Sequence, residues 1–281
     1  MHFTHNAMLT LNYKGKIVQI NRPCVMGILN VTRYSFYDGG CYTQAETIKA
    51  RVEQLLQEGA DIIDIGCMAT NPKATPITEE EEIYPLHQTL NTLKPYLSKA
   101  LFSIDTYRSK VAQTAVEQGI GIINDISGGT FDPEMFPTIA RLQLPYVLTH
   151  TTGLPQEMKQ HTDYNDVVGD ILIFLSEKLH TLRSMGVNDV IVDPGYGFGK
   201  TVQQNYTLLK NIAVFKQLRC PVLVGLSRKS MLYKLLNTTA EESLYATIAA
   251  DTLALMQGAD ILRVHDVKPA IDTINIVSQI L

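Results

Sequence analysis

CVMGILN, Cys24 to Asn30, is a run of apolar and small residues closed by a single polar one. A strand with one face in water alternates polar and apolar side chains. A continuous run such as this belongs to a strand covered on both faces, which is the situation in a parallel sheet wrapped by helices. The same pattern recurs in ADIIDIG (60–66), ALFSID (100–105), GIIND (121–125), PYVLTH (145–150), DVIVDPG (189–195), PVLVGLS (221–227) and ADILRVHD (259–266). Between these runs lie segments with helical patterning and a glycine stop, AETIKARVEQLLQEG (45–59), DVVGDILIFLSEKLHTLRSMG (166–186) and ESLYATIAADTLALMQG (242–258). Strand and helix alternate eight times, which predicts a (β/α)8 barrel of about 250 residues. A doubly wound open sheet is the alternative.

The remaining N-terminal stretch, MHFTHNAMLTLNYKGKIVQI, alternates and reads as a short β-hairpin. No linker or low-complexity tract divides the chain, so residues 1–281 are expected to form one domain. With 45% hydrophobic and 19% charged residues the composition is that of an ordinary globular protein. No apolar run approaches the roughly 20 residues that span a bilayer. The four cysteines, Cys24, Cys41, Cys67 and Cys220, form no C-x-x-C pair, which argues against a structural zinc site or a disulfide framework. A cytoplasmic location with reduced thiols is expected. A net charge of -4 without a Lys/Arg cluster argues against nucleic-acid binding.

In an eight-stranded α/β barrel the active site forms at the C-terminal ends of the strands. Those ends carry Asn30, Asp64, Asp105, Asn124 with Asp125, His150, Asp193, Ser227 with Lys229, and Arg263 with His265. An Asp or Asn after a strand is ordinarily a helix cap or a turn residue, and Arg263 with Asp266 reads as an ordinary structural pair. A polar residue at all eight ends is a different matter. Asp105, Asn124 and Asp193 match the hydrogen-bonding edge of a flat, nitrogen-rich heterocycle. Lys229, Arg263 and His265 suit an anion, in the loops where this fold habitually binds phosphate. DPGYGFGKT, Asp193 to Thr201, looks like a nucleotide P-loop, but Pro194 stands where that motif requires glycine. His150 and His265 are the histidines at strand ends, and without H-E-x-x-H they do not make a zinc site. The acidic run Glu79 to Glu82 after Thr78 reads as the first turn of a helix.

From Met26 to Val267 the chain resembles the dihydropteroate synthase family. The resemblance rests on MGILNVT with SF and DGG, DIIDIG, SIDTYRSKVA, IINDISGG, DPGYGFGKT, PVLVGLSRKSML and ILRVHDV, in that order. It implies a (β/α)8 barrel, usually a homodimer, with small-molecule substrates. The implied reaction joins 6-hydroxymethyl-7,8-dihydropterin diphosphate to p-aminobenzoate and releases diphosphate with Mg2+ assistance. By the same resemblance Asp105, Asn124, Asp193 and Lys229 hold the pterin, with Asp64 in the same layer. Asn30, Arg263 and His265 hold the diphosphate, and Asn30 lies near the metal. Phe198 and Ser227 border the p-aminobenzoate, together with Phe36, Thr70 and Pro72 from two covering loops. The expected catalytic set is therefore Asn30, Asp105, Lys229, Arg263 and His265.

The two covering loops depart from the family pattern. Where T-P-D-S-F-S-D-G-G is usual, Thr32 to Gly40 reads TRYSFYDGG; where G-G-E-S-T-R-P-G is usual, Gly66 to Lys73 reads GCMATNPK. The substitutions leave two further readings open. One is a pterin-binding paralogue that does not use p-aminobenzoate, and the other is a methyltetrahydrofolate-dependent methyl-transfer barrel.

Overall fold

The computed structural model describes residues 8–13, 15–31, 41–67, 77–154 and 157–280. Strands β1 (Met8–Tyr13) and β2 (Lys16–Asn21) form the antiparallel hairpin. The eight apolar runs become β3 (Cys24–Asn30), β4 (Ile62–Gly66), β5 (Leu101–Asp105), β6 (Ile122–Asp125), β7 (Tyr146–Thr149), β8 (Val190–Asp193), β9 (Leu223–Val224) and β10 (Ile261–Val264). All neighbours are parallel, in the order β8-β7-β6-β5-β4-β3-β10-β9. A parallel bridge between Val192 and Val222, with Val192 N–H donating to Pro221 O at 2.9 Å, joins the two ends. The sheet is a closed barrel, so the open-sheet alternative falls.

The longer helices between the strands are α1 (Cys41–Gln57), α2 (Glu79–Leu93), α3 (Ser109–Glu117), α4 (Met135–Leu142) and α5 (Val167–Ser184). They continue with α6 (Val202–Lys210), α7 (Ile212–Phe215), α8 (Ser230–Tyr233), α9 (Leu244–Met256) and α10 (Val267–Val277). Helix α2 starts on a capping box, in which Glu81 N–H donates to the Thr78 hydroxyl and Thr78 N–H donates to the Glu81 carboxylate. The acidic run is thus a first turn as its composition suggests, except that Glu82 is turned fully inward. No helix among the described residues is long and apolar enough to cross a membrane.

Two apolar layers follow from strand alternation. Outward side chains of the strands pack with the helices. Inward ones, Met26, Ile62, Ile122, Val147, Ile191, Leu223 and Ile261, fill the N-terminal half of the barrel. The hairpin lays Leu9, Leu11 and Ile20 against that layer as a plug. Tyr13 hydroxyl to Gly119 O (2.9 Å) and Asn12 N–H to the Asp189 carboxylate (2.7 Å) anchor it.

Candidate active site

Two residues beyond the inward isoleucines, the same strands present Asp64, Asn124, Asp193 and Arg263, because side chains facing the barrel axis recur with period two. Register decides their heights. Gly66 on β4 pairs with Asp105 and Asp105 pairs with Asn124, whereas Asp64 pairs with Ser103. Asp64 thus lies opposite Ser103 on the neighbouring strand, two residues before the position opposite Asp105. Its carboxylate is already occupied. Ser103 Oγ donates to Oδ1 at 2.5 Å, and Asn124 Nδ2 (2.8 Å) and Arg263 Nε (2.7 Å) both donate to Oδ2.

Arg263 reaches upward as well, with Nη2 donating to Asp105 Oδ2 at 2.7 Å. One guanidinium thus sits between two buried carboxylates, and Nη1 is the nitrogen left over from both pairs. Arg263 is not paired with Asp266, the ordinary structural alternative to a role at the site. Asp266 instead takes a two-pronged ion pair from Arg228, Nε at 2.8 Å and Nη2 at 2.9 Å, and this holds Arg228 in a left-handed backbone conformation (φ 55°) between Ser227 and Lys229. Such strain persists only where the surroundings over-determine it, and here it sits between two predicted site residues.

Asp105 has its other oxygen, Oδ1, buried without a protein partner. Burial pushes its carboxyl up to about 7, against the pull of Arg263 and with further upward pressure from Asp64. Asp193 is also pushed up by burial, with Lys229 and then the Gly195 N–H opposing; that N–H donates to Asp193 Oδ1 at 2.7 Å. Burial lowers Lys229 to about 8, with Asp193 opposing. Its ammonium donates to Tyr196 O and lies 4.9 Å from the centre of the Phe198 ring, a cation–π contact.

On the anion side, His265 and Ser227 are tied together. His265 backbone N–H donates to Ser227 Oγ at 3.1 Å, and the Ser227 hydroxyl lies 3.0 Å from His265 Nδ1. Burial and then Arg263 lower His265 to about 4, so the ring is neutral near pH 7. In the tautomer whose Nδ1 accepts from Ser227, the Nε2–H is left to donate. The Ser227 hydroxyl, expected at the p-aminobenzoate, is engaged with His265.

Asn30 ends β3 with its side chain exposed, and its Oδ1 lies 3.2 Å from where a Cβ on Gly66 would stand. Among the described residues no group of three His, Cys, Asp or Glu could hold a metal. Asp125 belongs to the scaffold: Tyr146 hydroxyl (2.6 Å), Ser127 N–H (2.7 Å) and Gly129 N–H (2.8 Å) saturate its carboxylate. Phe36, Thr70 and Pro72 lie outside the described residues, as do Arg33, Tyr34, Tyr37 and Asn71.

Several residues escaped sequence reasoning. Glu82 forms an ion pair with Arg108 and accepts from Thr106 Oγ1 at 2.7 Å, a buried cluster whose charge bears on Asp105 and on Cys67. Arg108 also donates to Ile77 O at 2.5 Å, just ahead of the Thr78 cap of α2. A run of four glutamates gives no hint that one is buried. Ser103, which orients Asp64, carried a weak signal as the lone hydroxyl inside an apolar run.

A model of the pterin-binding enzyme family matches residues 26–265. A dihydropteroate synthase from Synechocystis sp. is 41% identical over 250 residues, covering 88% of this chain and 86% of that protein. The solved structure of a Xanthomonas albilineans dihydropteroate synthase with 4-aminobenzoic acid superposes with a TM-score of 0.87 at 35% identity, covering 98% of both chains. A structure of the X. albilineans synthase in complex with 7,8-dihydropteroate gives a TM-score of 0.83 at 34% identity, over 96% of this chain and 98% of that one.

Proposed function

The chain belongs to the pterin-binding enzyme family, together with the dihydropteroate synthases, and on that premise we propose how its residues perform the reaction. The activity is a transfer: 6-hydroxymethyl-7,8-dihydropterin diphosphate and p-aminobenzoate give 7,8-dihydropteroate and diphosphate. The observation that carries the assignment is the convergence of Asp105, Asn124, Asp193 and Lys229 on the barrel mouth, one of them with a bare buried oxygen. Asp105 Oδ1 and Asp193 accept from the N–H groups of the pterin edge, while Asn124, oriented by Asp64, and Lys229 meet its acceptors. Arg263 Nη1 and His265 Nε2–H are donors for the diphosphate.

The bond from the pterin methylene carbon to the bridging oxygen breaks, and its electron pair leaves with the diphosphate. Positive charge spreads into the dihydropterin ring, faced by Asp105 and Asp193. The amine of p-aminobenzoate, neutral near pH 7, then bonds to the methylene carbon and releases a proton to solvent. No residue is needed as a strong general base. Fixed charges aimed at the developing charges supply most of such a barrier reduction.

Asn30 suits Mg2+, which takes one or two protein oxygens and completes its shell with phosphate oxygens and water. When bound, the metal supplies positive charge to the leaving diphosphate. A cytoplasmic location is part of the same proposal, supported by Cys24, Cys67 and Cys220 being free and buried. So is a homodimer, which sedimentation of the purified chain tests.

The deciding experiment is a two-substrate assay with Mg2+, run beside the Tyr34→Asp/Asn71→Arg double variant. Diphosphate release with dihydropteroate formation is expected. Pterin diphosphate binding without turnover at high enzyme concentration would instead establish the binding-only paralogue.

A further inference from the structure

The lysine that makes DPGYGFGKT look like a P-loop does not face a phosphate. Gly195, Gly197 and Gly199 all have left-handed φ (74°, 82° and 62°), and two of them are jammed against the chain after β7. A Cβ on Gly195 would fall 1.9 Å from His150 O, and one on Gly199 would fall 1.7 Å from Thr152 Oγ1. The glycines permit backbone packing rather than a phosphate cradle. Lys200 is turned into that packed interior. Its ammonium donates to Gly195 O at 2.8 Å and to Phe198 O at 2.8 Å, and lies 3.0 Å from His150 Nδ1.

Burial pushes the Lys200 amine well below its usual pKa, against the pull of Asp193; in the charged form its three protons meet three acceptors. His150 can accept because burial, then Lys200 itself, holds the ring neutral with a pKa of about 2. The two carbonyls bracket the part of the loop that touches Lys229: Tyr196 O accepts from its ammonium, the Phe198 ring lies under it, and a Cβ on Gly197 would stand 3.3 Å from its Cδ. Asn205 pins the same segment from α6, with Oδ1 accepting from Gly197 N–H at 2.7 Å.

We propose that Lys200 is a positioning residue: its buried ammonium, shared by Gly195 O, Phe198 O and His150 Nδ1, fixes the loop that seats Lys229 and places positive charge beside Asp193. This rests on the pterin reading of the site given above. The charged groups bearing on Asp193 are Lys229, Arg263 and Lys200, and those bearing on Lys200 are Asp193 and Lys229. Lys200 therefore favours the ionised Asp193 and disfavours protonation of Lys229. Removing its charge raises the pKa of both groups, so both limbs of a pH profile that needs carboxylate and ammonium together move to higher pH. Loosening the loop without a change of charge lowers affinity but leaves the limbs in place.

The test is calorimetric titration of 6-hydroxymethyl-7,8-dihydropterin diphosphate into the parent and Lys200→Met proteins across about pH 5 to about pH 10, with thermal melts alongside. Affinity is expected to fall about tenfold or more, with both limbs displaced upward by on the order of half a unit. An unshifted profile, or unchanged affinity, overturns the inference. If Lys200→Met does not fold, Lys200→Gln, whose amide still reaches two carbonyls without a charge, must show the same displacement. Because binding is the readout, a parent protein that binds without turning over sinks only the catalytic assignment. A parent that does not bind this pterin sinks the pocket assignment and this inference with it.

Discussion

At the N-terminal end of the barrel the inward side chains are Ile62, Ile122, Ile191 and Ile261; two residues later on the same four strands they are Asp64, Asn124, Asp193 and Arg263. The lower layer is dry, closed by Leu9 and Leu11 from the hairpin, and stabilises by burial alone. In the upper layer charges are removed from water, which is costly unless each is paired. Asp64 meets that cost with three donors, whereas Asp105 keeps one buried oxygen without a protein partner. The contrast separates what holds the barrel together from what it is built to bind, and four measurements sharpen or break it.

The largest expected effect comes from Arg263→Met, which unpairs Asp64 and Asp105 and removes a diphosphate donor. Turnover should fall about a thousandfold. Steady-state assays on protein shown to be folded by circular dichroism check this, and a loss smaller than about tenfold would remove Arg263 from the chemistry. Below the site, Ile191→Ala opens a cavity in the dry layer and should cost about 3 kcal/mol in denaturant unfolding with kcat unchanged. A parallel loss of kcat would erase the division between the layers.

Asp105→Asn tests the cost of the unfilled carboxylate. Burial raises the Asp105 carboxyl from the ordinary aspartate range to about 7, so folding disfavours its ionised form. The destabilisation grows as pH rises through that window and is complete above about pH 7. Asn cannot ionise, so the melting temperature of the variant minus that of the parent should increase between about pH 4 and about pH 8. A flat difference would mean that Arg263 already neutralises the charge. The smallest effect is expected at the plug: Tyr13→Phe removes the hydrogen bond to Gly119 O and should cost about 1 kcal/mol, leaving activity untouched.

The sequence by itself determined a parallel eight-stranded sheet covered by helices, because continuous apolar runs must be buried on both faces; its closure into a barrel was decided by the bridge between Val192 and Val222. It also determined the residue types at the mouth, since strand ends are marked by the first polar residue after each run. Departures at Arg33, Tyr34 and Asn71 were legible too, as breaks in an otherwise matching pattern. Only the tertiary structure decided who meets whom. Asp266 pairs with Arg228 rather than Arg263, Ser227 joins His265 from 38 positions away, and register sets Asp64 opposite Ser103 rather than Asp105. Glu82, fully buried, and Lys200, half-buried with its ammonium turned inward, are sharper cases, because nothing local distinguishes an inward charge from a solvated one. Their direction is set by partners distant in the chain, Arg108 and Thr106 for the one and His150 for the other, and such pairings exist only once the strands have closed.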